Sequence, residues 1–123
     1  MDEIHQNSVS NNQTSGGGGI YLDAELSFSS HAAEIRDSSI YDNSACKGAG
    51  INNSSSALVI FRSEITNNMA GQPHLGAGDP CDNVILVHGG GLLITGSSET
   101  LTQIKKSTIS GNFATHFGGG IAS

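Results

Sequence analysis

A motif written four times, short branched apolar patches set between Gly-, Asn- and Ser-rich turns, and the lack of any helical period together predict an all-β chain. The expected architecture is a right-handed parallel β-helix, a solenoid of about four coils with two loop insertions. Residues 1–123 read as one such segment, part of a longer chain, with insertions at 22–34 and 71–88.

The repeat is clearest in Ser107 to Ile121, STISGNFATHFGGGI. A branched residue recurs at Val9, Ile40, Ile65 and Ile109, and an asparagine stands three places after each, at Asn12, Asn43, Asn68 and Asn112. Another apolar residue stands five places before each: Ile4, Ile35, Ile60 and Ile104. Small-residue runs then lead into Ile20, Ile51, Leu92 and Ile121. The shortest copy, Ile40 to Ile65, sets the minimal coil, and the longer copies carry their excess at 22–34 and 71–88.

Each copy holds three short apolar patches, each long enough for a brief strand. Three strands joined by turns would close one triangular coil, and successive coils would pair in parallel about 4.8 Å apart. The branched residues are expected to stack in an inner column. Each asparagine is expected at a turn, taking up the left-handed conformation and bonding through its amide to the next asparagine in a structural ladder. Ala45, Ala70 and Ala114 mark a cramped inward site, with Thr14 at the same place in the first copy.

Composition narrows the function. Only 36 % of residues are hydrophobic and 13 % charged, but the Ile and Val residues keep fixed places, unlike those of a disordered chain. Five Lys and Arg within a net charge of −6 exclude a phosphate-tracking nucleic-acid binder and an anionic membrane surface. No apolar run is long enough for a membrane-spanning helix. MDEIHQNS has no apolar signal region, so an export signal would lie outside this stretch.

The repeat resembles the Pmp-type right-handed parallel β-helix repeat of chlamydial polymorphic outer membrane proteins, with Ile or Val where that pattern has Phe. It is similar also to the STISGNxAxxxGGGI repeats of large secreted bacterial proteins. The resemblance covers nearly the whole chain. It implies an exported, extracellular or cell-surface β-helix, a scaffold that serves adhesins, passenger domains and polysaccharide lyases alike.

Candidate chemistry is sparse. Cys46 and Cys81 fall near the same turn of adjacent coils, so export would favour a disulfide and a reducing compartment two free thiols. His88 and His116 precede glycine runs in neighbouring coils but lack a third ligand, so no metal site is expected. His74 to Asp79, HLGAGD, resembles one calcium-binding Gly-Asp turn; calcium is the one ion it brings into consideration, and no cofactor is expected otherwise. Alignment stacks Gln6, Asp37, Arg62 and Lys106 in one column and His5, Arg36, Phe61 and Lys105 in the next. Arg36, Arg62, Lys105 and Lys106 then form a basic strip suited to an acidic sugar, with Asp37 and Arg62 close enough for a surface ion pair. No catalytic residue is assigned: a lyase needs clustered carboxylates, and GxSxG is absent.

The expected role is structural or adhesive, with the two insertions presented to a host or cell-surface protein or polysaccharide. The alternative is a carbohydrate-active β-helix that binds or cleaves an acidic polysaccharide. Both ends lack recognisable polar caps, so a fragment or end-to-end self-association is expected.

Overall fold

The computed structural model describes residues 3–10, 12–14, 18–23, 32–54, 57–71, 89–95 and 101–123. Regular structure among them is entirely β, as dense Gly, Asn and Ser dictate. The first repeat supplies β1 (Glu3–His5), β2 (Ser8–Ser10), β3 (Gln13–Thr14) and β4 (Ile20–Asp23). The second supplies β5 (Ala32–Arg36), β6 (Ser39–Tyr41), β7 (Ser44–Ala45) and β8 (Ile51–Ser54). The third supplies β9 (Ala57–Phe61), β10 (Glu64–Thr66), β11 (Met69–Ala70) and β12 (Leu92–Thr95), and the fourth β13 (Thr102–Lys105), β14 (Thr108–Ser110), β15 (Phe113–Ala114) and β16 (Ile121–Ala122).

Every strand pairs in parallel with the strand four places along the chain. The result is four four-stranded sheets, β1-β5-β9-β13, β2-β6-β10-β14, β3-β7-β11-β15 and β4-β8-β12-β16. Each repeat thus contributes four strands where sequence reasoning expects three. The extra one is the two-residue strand after the asparagine, too short to register as an apolar patch.

Register follows the sequence columns. Ile4, Ile35, Ile60 and Ile104 are successive partners. So are Val9, Ile40, Ile65 and Ile109, and Ile20, Ile51, Leu92 and Ile121. Their middle members, together with Ile20 and Leu58, form one buried cluster. Ala45, Ala49 and Ala70 form a second, smaller one, with Ala114 packed against it. Burying each Ile or Leu contributes roughly 1.5–3 kcal/mol.

Asn43 and Asn68 are buried polar side chains whose amides are fully used. Asn43 Nδ2 donates to Asn68 Oδ1 at 3.0 Å and to the Val9 carbonyl at 3.0 Å. Asn43 Oδ1 accepts from Asn12 Nδ2 at 3.0 Å and from the Asn12 backbone N–H at 3.2 Å. Asn68 repeats the pattern: Nδ2 donates to Asn112 Oδ1 and the Ile40 carbonyl, and Oδ1 accepts from Asn43. The expected ladder is present. The expected left-handed conformation belongs instead to the residue before the asparagine: Asp42 (φ 55), Asn67 (φ 55) and Gly111 (φ 63). The side chain can reach along the stack only from an extended residue, so its predecessor makes the bend.

The glycine runs close the next corner. Gly48, Gly89 and Gly118 have positive φ, while Gly50 packs against the ladder itself. A Cβ on Gly50 would collide with the Gly91 carbonyl oxygen and lie 2.9 Å from Asn68 Nδ2 and 3.0 Å from Ile65 Cγ2.

Both insertions sit at joints between sheets. Residues 24–31 separate β4 from β5, and most of 71–88 lies between β11 and β12. The ends of the 22–34 stretch are strand, since β4 runs through Asp23 and β5 opens at Ala32. Register resumes after each insertion: β12 pairs with β8 from Leu92 and Ile51 onward.

Two substitutions test this packing. Gly50→Ala should cost about 1–3 kcal/mol by pressing on the Gly91 carbonyl and the ladder amide of Asn68, read by urea denaturation. Asn68→Asp should be strongly destabilising at neutral pH, because a carboxylate would face the Ile40 carbonyl and Asn112 Oδ1. Burial among acceptors would raise its folded-state pKa above the unfolded value, so the loss should shrink as pH falls through that raised pKa. Melting curves across acid pH check the sign.

Candidate functional site

The described residues concentrate charge at the corner between the first and second sheets. That corner is built by serine. Ser38 Oγ donates to the Arg36 carbonyl at 2.8 Å, Ser63 Oγ to that of Phe61 at 2.9 Å and Ser107 Oγ to that of Lys105 at 2.9 Å. The same hydroxyls accept backbone N–H groups from the preceding repeat: Asn7 to Ser38, Ser38 to Ser63 and Ser63 to Ser107. The residue inside each clasp is forced to positive φ, at Asp37 (φ 52), Arg62 (φ 46) and Lys106 (φ 51), and Gln6 (φ 52) occupies the same place in the first repeat. A non-glycine residue there costs roughly 1–2 kcal/mol, which the two serine bonds offset.

This serine column is a second ladder that sequence reasoning missed. Its signal was a serine two places before Ile40, Ile65 and Ile109, with Asn7 taking the place before Val9.

The corner brings the predicted basic strip together around Phe61. Arg36, Phe61 and Lys105 are register partners on neighbouring strands. The Arg62 guanidinium lies 4.7 Å from the Phe61 ring centroid, and Lys106 Nζ lies 5.9 Å from it. Arg62 also grips Asp37 in a fork, Nε to Oδ1 at 2.7 Å and Nη2 to Oδ2 at 2.8 Å, as expected. Arg36 Nε is 3.6 Å from Glu34 Oε1. Both arginines therefore have carboxylate partners, whereas Lys105 and Lys106 have none among the described residues. The result is a half-buried aromatic ring with two ammonium groups beside it that have no carboxylate partner among the described residues. Such a surface can stack against the C–H face of a sugar and attract an anionic substituent.

The other candidates are dispersed. His116 bonds with Thr115 Oγ1 at 3.3 Å and packs beside Phe117. His88, the partner considered for His116, lies outside the described residues, as do His74, Asp79 and Cys81. Cys46 is buried and disulfide-bonded, and Cys81 is the chain's other cysteine. Among the described residues no three His, Cys, Asp or Glu side chains gather as a metal site would require. No helix among them is long and apolar enough to cross a membrane. On the outer face of the second sheet, hydrogen bonds from Ser8 and then Ser10 hold the Tyr41 phenol below its usual pKa.

No protein family, curated protein or solved structure matches this chain.

Arg62→Ala should cost at most about 1 kcal/mol in urea denaturation, because the Arg62–Asp37 pair is solvent-screened. A larger loss would make the corner a structural clasp instead of a surface feature.

Proposed function

We propose that the chain is a segment of a right-handed parallel β-helix, about four coils long, of the Pmp-like bacterial repeat type. In this reading each repeat is one coil, and the four sheets are its faces. Its role is that of a rigid extracellular or cell-surface scaffold. It presents the 22–34 and 71–88 insertions to a host or cell-surface protein or polysaccharide. The observation that carries the reading is the placement of both insertions at joints between sheets, with register resuming after each. A scaffold of this kind lets loops vary without disturbing the stack. The disulfide at Cys46 agrees with an oxidising compartment.

A second reading is favoured by the Phe61 surface: recognition of an acidic polysaccharide, with Lys105, Lys106 and Arg62 meeting carboxylates while Phe61 meets the sugar ring. Arg36 completes the basic edge.

Binding assays on one purified chain separate the two. Replacing residues 72–80 by a Gly/Ser loop should abolish attachment to intact cells and leave far-UV circular dichroism unchanged, if the insertion is the adhesive element. Pectate and alginate titrations test the other reading. A saturable signal lost in the Lys105→Ala/Lys106→Ala variant would place function on the sheet edge. Release of unsaturated products with calcium would make it a lyase.

A further inference from the structure

The second sheet turns an almost wholly hydroxylic face outward. Its strands read SVS in β2, SIY in β6, EIT in β10 and TIS in β14. The middle residue of each points inward, where Ile40 and Ile65 are fully buried, so its two neighbours point outward. Glu64 apart, every outward position of these strands carries a hydroxyl, and none carries a cation. The face is lateral to the direction in which the strands pair, so it stays open whatever chain precedes or follows these residues.

Tyr41 is the one aromatic ring on this face. Ser8 Oγ donates to the Tyr41 phenol oxygen at 3.2 Å, and Ser10 bonds to the same oxygen. Ser10 is the register partner of Tyr41, whereas Ser8 lies one strand across and two residues back. A phenol reaches both serines only by lying along the sheet, because an upright ring would carry its oxygen away from them. The half-buried ring is thereby pinned at its far end. On its other side the register partners are Thr66 and then Ser110, one hydroxyl per repeat, about 4.8 Å apart.

We propose that this face binds a linear neutral glycan laid across the strands, with one sugar ring packed on Tyr41 and the following ones bonded by Thr66 and Ser110. A sugar ring offers C–H groups that pack on an aromatic ring and rim hydroxyls that both donate and accept. Ser, Thr and Tyr hydroxyls also do both, so they match a sugar hydroxyl in either role. The serine bonds use the phenol oxygen as acceptor and leave its proton to donate to the ligand. An acidic sugar would meet Glu64, and Asp42 beside Tyr41, with no cation on the face to balance it. The sheet repeats one position per strand, as a homopolymer repeats one unit per sugar. Its backbone already holds the hydroxyls in place, so binding orders little. The site uses neither the insertions nor the Phe61 corner.

The chain has two tyrosines and no tryptophan, so Tyr21→Phe leaves Tyr41 as its only tyrosine emitter. Titrating that chain with cellohexaose, maltohexaose and laminarihexaose should give a saturable change in Tyr41 emission with at least one of them. By calorimetry the same oligosaccharide should bind Tyr41→Ala about tenfold more weakly and Thr66→Val about fivefold more weakly. Far-UV circular dichroism should be unchanged in both, since both side chains point outward. Oligogalacturonate, the acidic probe suited to the Phe61 corner, should leave Tyr41 emission unaltered. No response to any of the three neutral chains overturns the proposal, and so does undiminished binding by either variant. A response to oligogalacturonate alone overturns the neutral class of ligand. Each of these failures is distinct from failure at Phe61, where the signal is the one lost in the Lys105→Ala/Lys106→Ala variant.

Discussion

Parallel in-register pairing places each residue beside its own counterpart, and that constraint governs the rest of the structure. A position buried in one repeat must be compatible with a copy of itself above and below. Isoleucine and leucine meet the condition easily, and their columns form the core. A polar side chain meets it only if it can donate and accept at once. The asparagine amide does so, with two hydrogens and an oxygen directed along the stack. The serine hydroxyl does so with one hydrogen and two lone pairs. A carboxylate only accepts and an ammonium only donates, so neither could fill such a column. Among the described residues, buried Asn43 and Asn68 fill one such column and buried Ser38 and Ser63 the other.

The same constraint fixes the corners. A ladder residue has to be extended to reach its neighbour, so the bend falls on the residue before it. At the serine corner that residue is charged or amide-bearing, and its side chain lies outside the stack, where self-compatibility is not demanded. Asp37 and Arg62 use that freedom to pair in neighbouring repeats. Arg36, Phe61 and Lys105 use it to place an aromatic ring between two cations. The glycine corner offers no comparable freedom. A Cβ on Gly50 would press on the Gly91 backbone and on Asn68, so the chain there must stay bare.

Much of this was legible in the sequence, because repetition writes a column as a period. The isoleucine columns, the amide ladder, the alanine site and the Asp37–Arg62 contact all follow from aligning four copies on Asn43 and its equivalents. What escaped were features without a period of apolar residues. The two-residue strand at Ala45 is too short to show a pattern. The serine clasp at Ser63 is invisible until its bond to the Phe61 carbonyl is seen, for serine is common throughout the chain. The left-handed bend was placed on Asn68 and belongs to Asn67, because residue preference alone does not say which of two adjacent asparagines turns and which bonds. Phe61 has no role in the alignment alone, since its meaning comes from the Arg62 and Lys106 cations, which only the fold brings over its ring.

Repetition and recognition pull in opposite directions. A column stacks well when its members are alike, and a ligand is discriminated when neighbouring groups differ. The chain separates the demands in space. Sameness is kept inside, in the columns that run through Asn43, Asn68 and Ile65. Difference is confined to corners, joints and the outermost repeats. The Gly71–His88 stretch can differ wholly from the other copies because it falls in sequence between β11 and β12, and β12 keeps its register with β8. Difference at Phe61 is tolerated because the serine clasp beneath it, from Ser38 through Ser63 to Ser107, does not differ. Stability and function therefore draw on different residues, and a substitution at Lys106 should leave the stack intact while one at Asn68 should not.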